Sequence, residues 1–81
     1  MTEKEQRKIA KDLLIGKTIT EVVYLSKFDA EQMLWHQRPV MIIFDDGSSI
    51  LPMCDDEGND GGALHYHDHG KTETIGVLWN D

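Results

Sequence analysis

The chain predicts an α+β fold: an N-terminal helix followed by a small, mostly antiparallel β-meander of about five strands with one short inserted helix. Three observations lead there. Apolar residues recur at helical spacing only near the start, at Ile9, Ala10, Leu13 and Leu14. Beyond Gly16 the pattern changes to β-branched runs of strand length. Turn signals, among them Asp46-Gly47 and His69-Gly70, then divide the remainder into short segments. An SH3-like half barrel is the alternative arrangement of the same strands. At 81 residues and 40% hydrophobic content the chain has material for one core, so residues 1–81 form a single domain.

Residues 2–15 read as the helix. Thr2 and Glu5 have the spacing of a capping box, Glu3 and Arg7 stand one turn apart, and Gly16 lies where helices end. The apolar stripe is short, so this helix needs a packing partner to persist. Residues 17–25 read as a strand with Ile19, Val23 and Leu25 on one face and Val22 and Tyr24 on the other. Ser26 caps a short helical turn whose buried side is Ala30, Met33 and Leu34, and Pro39 ends that segment.

Residues 39–45 form the most apolar strand. Val40, Ile42 and Phe44 face one way and Met41 and Ile43 the other, which places it centrally with both faces covered. Asp45-Asp46-Gly47-Ser48 is a hairpin turn. The return strand spans 49–54, at an edge or with a bulge because Pro52 has no N–H to donate. Residues 55–62 hold nothing that can build a core and read as a loop. Strands at 63–68 and 72–79 close the chain around a His69-Gly70 turn.

Charge and composition exclude several classes. The longest apolar run, Val40–Phe44, is five residues, whereas a spanning helix needs about 20. The polar, acidic start lacks the pattern of a secretory leader, and a single cysteine, Cys54, permits no internal disulfide; both point to the cytoplasm. Net charge is −7 and unevenly placed: residues 1–38 carry seven bases and six acids, residues 39–81 one base and nine acids. The acidic half would repel a phosphate backbone, so direct nucleic-acid binding is not expected. A basic protein partner or a divalent cation suits it better.

Three constellations bear on chemistry. Asp55, Asp56, Glu57, Asn59 and Asp60 cluster oxygen ligands on a Gly-containing loop, as hard cations require, but without EF-hand spacing. The simpler reading is a loop whose acids bond their own backbone. His65, His67 and His69 alternate, so on a continuous strand three imidazoles would share a face as candidate metal ligands; a turn at His69 would break the triple. Cys54 with a histidine can be drawn as a nucleophile pair, but so small a chain leaves little room for a substrate pocket beside a core, and an enzyme is not expected. Trp35 and Arg38, just before the central strand, would make an interface anchor if exposed.

The strings Gly16-Lys17-Thr18-Ile19, Arg38-Pro39-Val40, Phe44-Asp45-Asp46-Gly47-Ser48, Pro52 and Asp55-Asp56-Glu57-Gly58-Asn59 through Gly62-Ala63-Leu64 resemble a family of small uncharacterised bacterial and phage proteins. The resemblance covers about residues 15–66 and implies a shape without a mechanism; the His65–His69 run lies outside its pattern.

The expectation is therefore a non-enzymatic interaction or regulatory protein without a cofactor. Its contact surface would be Asp55, Asp56, Glu57 and Asp60 with Trp35 and Arg38, meeting a partner with a basic surface; nucleic-acid mimicry is one form this could take. The alternative is a divalent-metal protein using His65, His67 and His69 with the acidic loop. Free sheet edges also admit a homodimer.

Overall fold

The computed structural model describes residues 1–79 and is α+β, with two helices and small antiparallel sheets that do not close into a barrel. Helix α1 spans Glu3–Leu14 and begins as its sequence dictates. The Thr2 hydroxyl accepts from the Glu5 N–H at 3.2 Å, and the Glu5 carboxylate accepts from the Thr2 N–H at 3.3 Å. It ends at Ile15, followed by Gly16 at φ +86°. No residue of α1 is buried.

Strand β1 (Ile19–Tyr24) leads into α2 (Lys27–Gln32), then β2 (Gln37–Arg38), β3 (Val40–Phe44) and β4 (Ser49–Ile50). The chain continues with β5 (Leu64–Asp68), β6 (Lys71–Ile75) and β7 (Leu78–Trp79). The main sheet has the order β1-β3-β4, so the apolar β3 is central as its composition predicts. Its cover is uneven: Val40 and Phe44 are buried, while Met41, Ile42 and Ile43 are half-buried. The β1–β3 register shifts between Ile19 and Glu21.

Two expected strands take a different form, and one strand forms that was not expected. The return strand stops at Ile50, and beyond Pro52 only a single bridge, Met53 to Gly61, continues the pairing. A proline within a strand deletes one ladder donor, and here the ladder ends before it. The expected strand 72–79 divides around Gly76: β6 pairs with β5, whereas β7 pairs with β2. The Gly76 carbonyl accepts from the Tyr24 hydroxyl at 3.0 Å, which holds this break against the main sheet. Strand β2 itself, two residues before Pro39, carries no periodic signal. The outcome, among the described residues, is three small sheets in place of one meander.

Buried side chains lie on both faces of the main sheet: Val40 and Phe44 on one, and a cluster around Met41 on the other. Leu25, Ala30 and Trp35 are buried together, with Met41 and Leu51 packed against them. Pro39 is fully buried beside Val40. Helix α2 is capped by Ser26, whose hydroxyl accepts from the Asp29 N–H at 3.1 Å. Of its expected buried side only Ala30 is inside; Met33 and Leu34 are exposed. The reason is the helix end. The Leu34 N–H bonds the Glu31 carbonyl at 3.0 Å, and the Trp35 N–H bonds the Ala30 carbonyl at 2.8 Å. This is a Schellman cap with Leu34 in the left-handed position at φ 62°. It reverses the chain so that Trp35 packs on Ala30 and Leu34 is turned out to water.

The β3–β4 connection is also locked by side chains. Gly47 takes φ +85°, and only this residue of the turn is left-handed, because the loop runs over three residues closed by the Phe44 N–H to the Ser48 carbonyl at 2.9 Å. Asp46 accepts from the Ser48 N–H at 2.9 Å and pairs with Lys17, whose ammonium also lies 5.8 Å from the centre of the Phe44 ring. The Lys17 and Ser48 bonds hold the Asp46 carboxyl well below its ordinary value of 3.8.

Two outcomes follow. Leu34→Gly relieves a left-handed strain of roughly 1–2 kcal/mol and loses about 0.4–1 kcal/mol to unfolded-chain entropy, so urea denaturation should show a net gain of about 0.5–1 kcal/mol, whereas Leu34→Val should destabilise. Because the Asp46 value is depressed in the folded state, its stabilisation is present above 3.8 and lost as pH falls below that value. Acid titration of Asp46→Asn should therefore show a shallower loss of stability in that range than the parent chain.

Candidate interaction surface around the acidic loop

The loop 51–62 is an ordered turn built from its own residues. The Gly62 N–H bonds the Pro52 carbonyl at 2.9 Å, and the Cys54 N–H bonds the Asp60 carbonyl at 2.9 Å. Between these anchors Asp55 organises the tip. Its carboxylate accepts from the backbone N–H groups of Glu57 at 3.0 Å and Asn59 at 3.3 Å, and from the Asn59 side-chain amide at 2.8 Å. These bonds favour the ionised form and lower the Asp55 pKa, the Asn59 side-chain bond contributing most. Gly58 follows at φ +73°.

Two contacts fasten the loop to the core. The Trp35 indole N–H donates to the Gly58 carbonyl at 2.8 Å. One oxygen of Asp60 accepts from three backbone N–H groups: Gln37 at 2.9 Å, His36 at 3.1 Å and its neighbour Gly61 at 2.8 Å. Gly61 is pressed so closely to the chain before β3 that a Cβ there would stand 2.6 Å from Pro39 Cδ and 2.8 Å from the Gln37 carbonyl. Asp-Gly at 60–61 is thus a clamp in which the acid satisfies donors and the glycine permits contact.

These contacts divide the expected surface in two. Asp55 and Asp60 have internal work, and Asp60 is half-buried. Trp35 is only 6% exposed, so it anchors the core and not a partner. Arg38 is half-buried and donates from Nε to the Leu25 carbonyl at 2.8 Å. Asp56 and Glu57 are exposed, and among the described residues no side-chain hydrogen bond or ion pair occupies either carboxylate. Beside the loop, and joined to it through Trp35 and His36, a shallow depression is lined by Glu31, Leu34, Trp35 and His36. Leu34, at its rim, is 85% exposed. Sequence periodicity missed Leu34 as a surface residue; the missing signal is the absence of a glycine at the helix C-terminus.

The histidines separate as the turn requires. His65 and His67 share a face of β5 with ring centroids 6.3 Å apart. His69 sits in the two-residue turn to β6 at φ 46°, followed by Gly70 at φ +87°, and its Nδ1 contacts Asp68. Among the described residues no three His, Cys, Asp or Glu side chains converge as a metal site. Cys54 is an exposed thiol. Among the described residues no helix is long and apolar enough to cross a membrane.

Removing the Asp60 acceptor leaves three N–H groups without their bond, so Asp60→Ala should destabilise the chain by about 2 kcal/mol in thermal unfolding, and Asp60→Asn by less than half as much. Comparison with protein-family models, with curated proteins and with solved structures finds no match.

Proposed function

We propose that the chain is a non-enzymatic interaction protein that docks a basic, partly apolar surface of another protein onto the edge formed by the end of α2 and the acidic loop. The observation that carries this is Leu34: a large apolar side chain held in a left-handed conformation, 85% exposed, in a depression shared with Glu31 and joined to the acidic loop through Trp35. A glycine would serve the cap with less strain, so the leucine stands against local energetics, and such outliers cluster at functional surfaces. Leu34 supplies the apolar contact, and Asp56, Glu57 and Glu31 form the charged rim. A rim of this kind sets encounter rate and partner choice more than the final affinity. Asp55 and Asp60 support the surface by shaping the loop.

The test is capture of partners by the tagged chain, followed by titration of the identified partner. The double change Asp56→Asn with Glu57→Gln should slow association and remove most of its salt dependence. Leu34→Ser should weaken binding about tenfold or more. Far-UV circular dichroism should be unchanged in both variants, which separates lost binding from lost folding. Unaltered affinity in both would overturn the proposal.

A further inference from the structure

Helix α1 and the part of the main sheet around Val22 and Ile50 are two exposed apolar surfaces in one chain. On α1, Ile9, Leu13 and Leu14 form the stripe, and Leu13 is 61% exposed. On the sheet, Val22, Ile42 and Ile50 stand opposite one another across β1, β3 and β4 and so share a face, opposite the one that carries Met41 and the Trp35 cluster; Val22 is 58% and Ile50 39% exposed, while Ile42 between them is half-buried and lines a shallow depression with Leu64. An isolated helix of 12 residues is marginal in water even with good capping, so α1 needs a surface to pack on.

The chain's dimensions say how much surface is waiting. A compact monomer of this mass exposes roughly 4,900 Å². This chain exposes 6276 Å², an excess of about 1,300 Å² over that expectation. Its radius of gyration is 13.9 Å, against about 11.7 Å for a compact domain of the same length. A stable interface removes about 800 Å² from each partner. The excess is therefore sufficient for one full interface per chain.

We propose that the occupant is a second copy of this chain: α1 of each protomer lies across the Val22–Ile42–Ile50 face of the other, in a reciprocal dimer. Both complementary surfaces are present on every copy, as a two-fold interface requires. The lengths agree, since a helix of 12 residues runs about 18 Å and three strands are spaced about 4.8 Å apart. The charges also agree. Helix α1 holds four bases and three acids, a net +1, while the rest of the chain carries a net −8. This interface is separate from the α2 and loop surface and stands or falls independently of it.

Sedimentation velocity of the full chain from about 1 to 100 μM tests the proposal. The expected species has twice the 9.2 kDa chain mass. Leu13→Asp and Ile50→Lys each replace an exposed residue, so neither should unfold the protomer, and each should raise the dissociation constant about tenfold or more. Mixing the two variants should restore part of the dimer, because one helix of the pair and the facing sheet remain intact. A parent chain that stays monomeric at the highest concentration would overturn the proposal, including the case in which hydrogen exchange shows α1 protected on its own sheet. A dimer indifferent to both substitutions, or a mixture no more dimeric than its components, would also overturn it.

Discussion

The indole of Trp35 connects three parts of the chain that are distant in sequence. Its rings fill the space between Leu25, at the end of β1, and Ala30 in α2, and its N–H reaches the Gly58 carbonyl in the acidic loop. An indole buried in a small core needs an acceptor for its one donor, and here the loop supplies it. Asp60 then meets the two N–H groups that follow Trp35, so the segment 35–37 is held on one side by packing and on the other by a carboxylate. The course of the chain into Pro39 and β3 depends on this fixture, as does the shape of the loop.

The fixture explains why acids occur in an ordered loop. A carboxylate that accepts several backbone N–H groups organises a tight turn more strongly than a neutral side chain, because charge-assisted bonds are the stronger kind. Asp55 and Asp60 act this way, and Gly61 allows the backbone to approach Pro39 while Gly58 and Gly62 allow it to approach Met53. The conformation leaves Asp56 and Glu57 facing solvent. Structural acids and surface acids thus alternate within one short segment, and the proposed interaction surface rests on a scaffold made by its neighbours.

The core is small for the apolar content of the chain. Leu25, Ala30, Trp35, Pro39, Val40 and Phe44 are buried, while α1, Val22 and Ile50 leave apolar surface in water. Small domains bury a low fraction of their surface and lean on additional constraints. With a single cysteine no disulfide within the chain can contribute. Association through α1 would supply the missing burial, and the Leu34 surface would remain available on the outside.

Local signals were legible wherever a residue acts on its near neighbours. The Thr2–Glu5 box, the Ser26 cap, the central position of β3, the hairpin turns and the removal of His69 from the histidine face all follow from side-chain chemistry within a few residues. What the residues alone left open depends on contacts across the fold. The two-residue ladder between β2 and β7 has no period to detect, and it exists because segments 37–38 and 78–79 are brought together. Likewise Trp35 and Arg38 are equally consistent with an anchor or a core role until the loop closes over them, and Asp55 and Asp60 cannot be told from Asp56 and Glu57 by composition. Sequence by itself determined the elements and the charge, since capping, periodicity and turn chemistry are short-range; tertiary structure decided which acids and aromatics are used internally, since that depends on which distant donor or cavity each side chain meets.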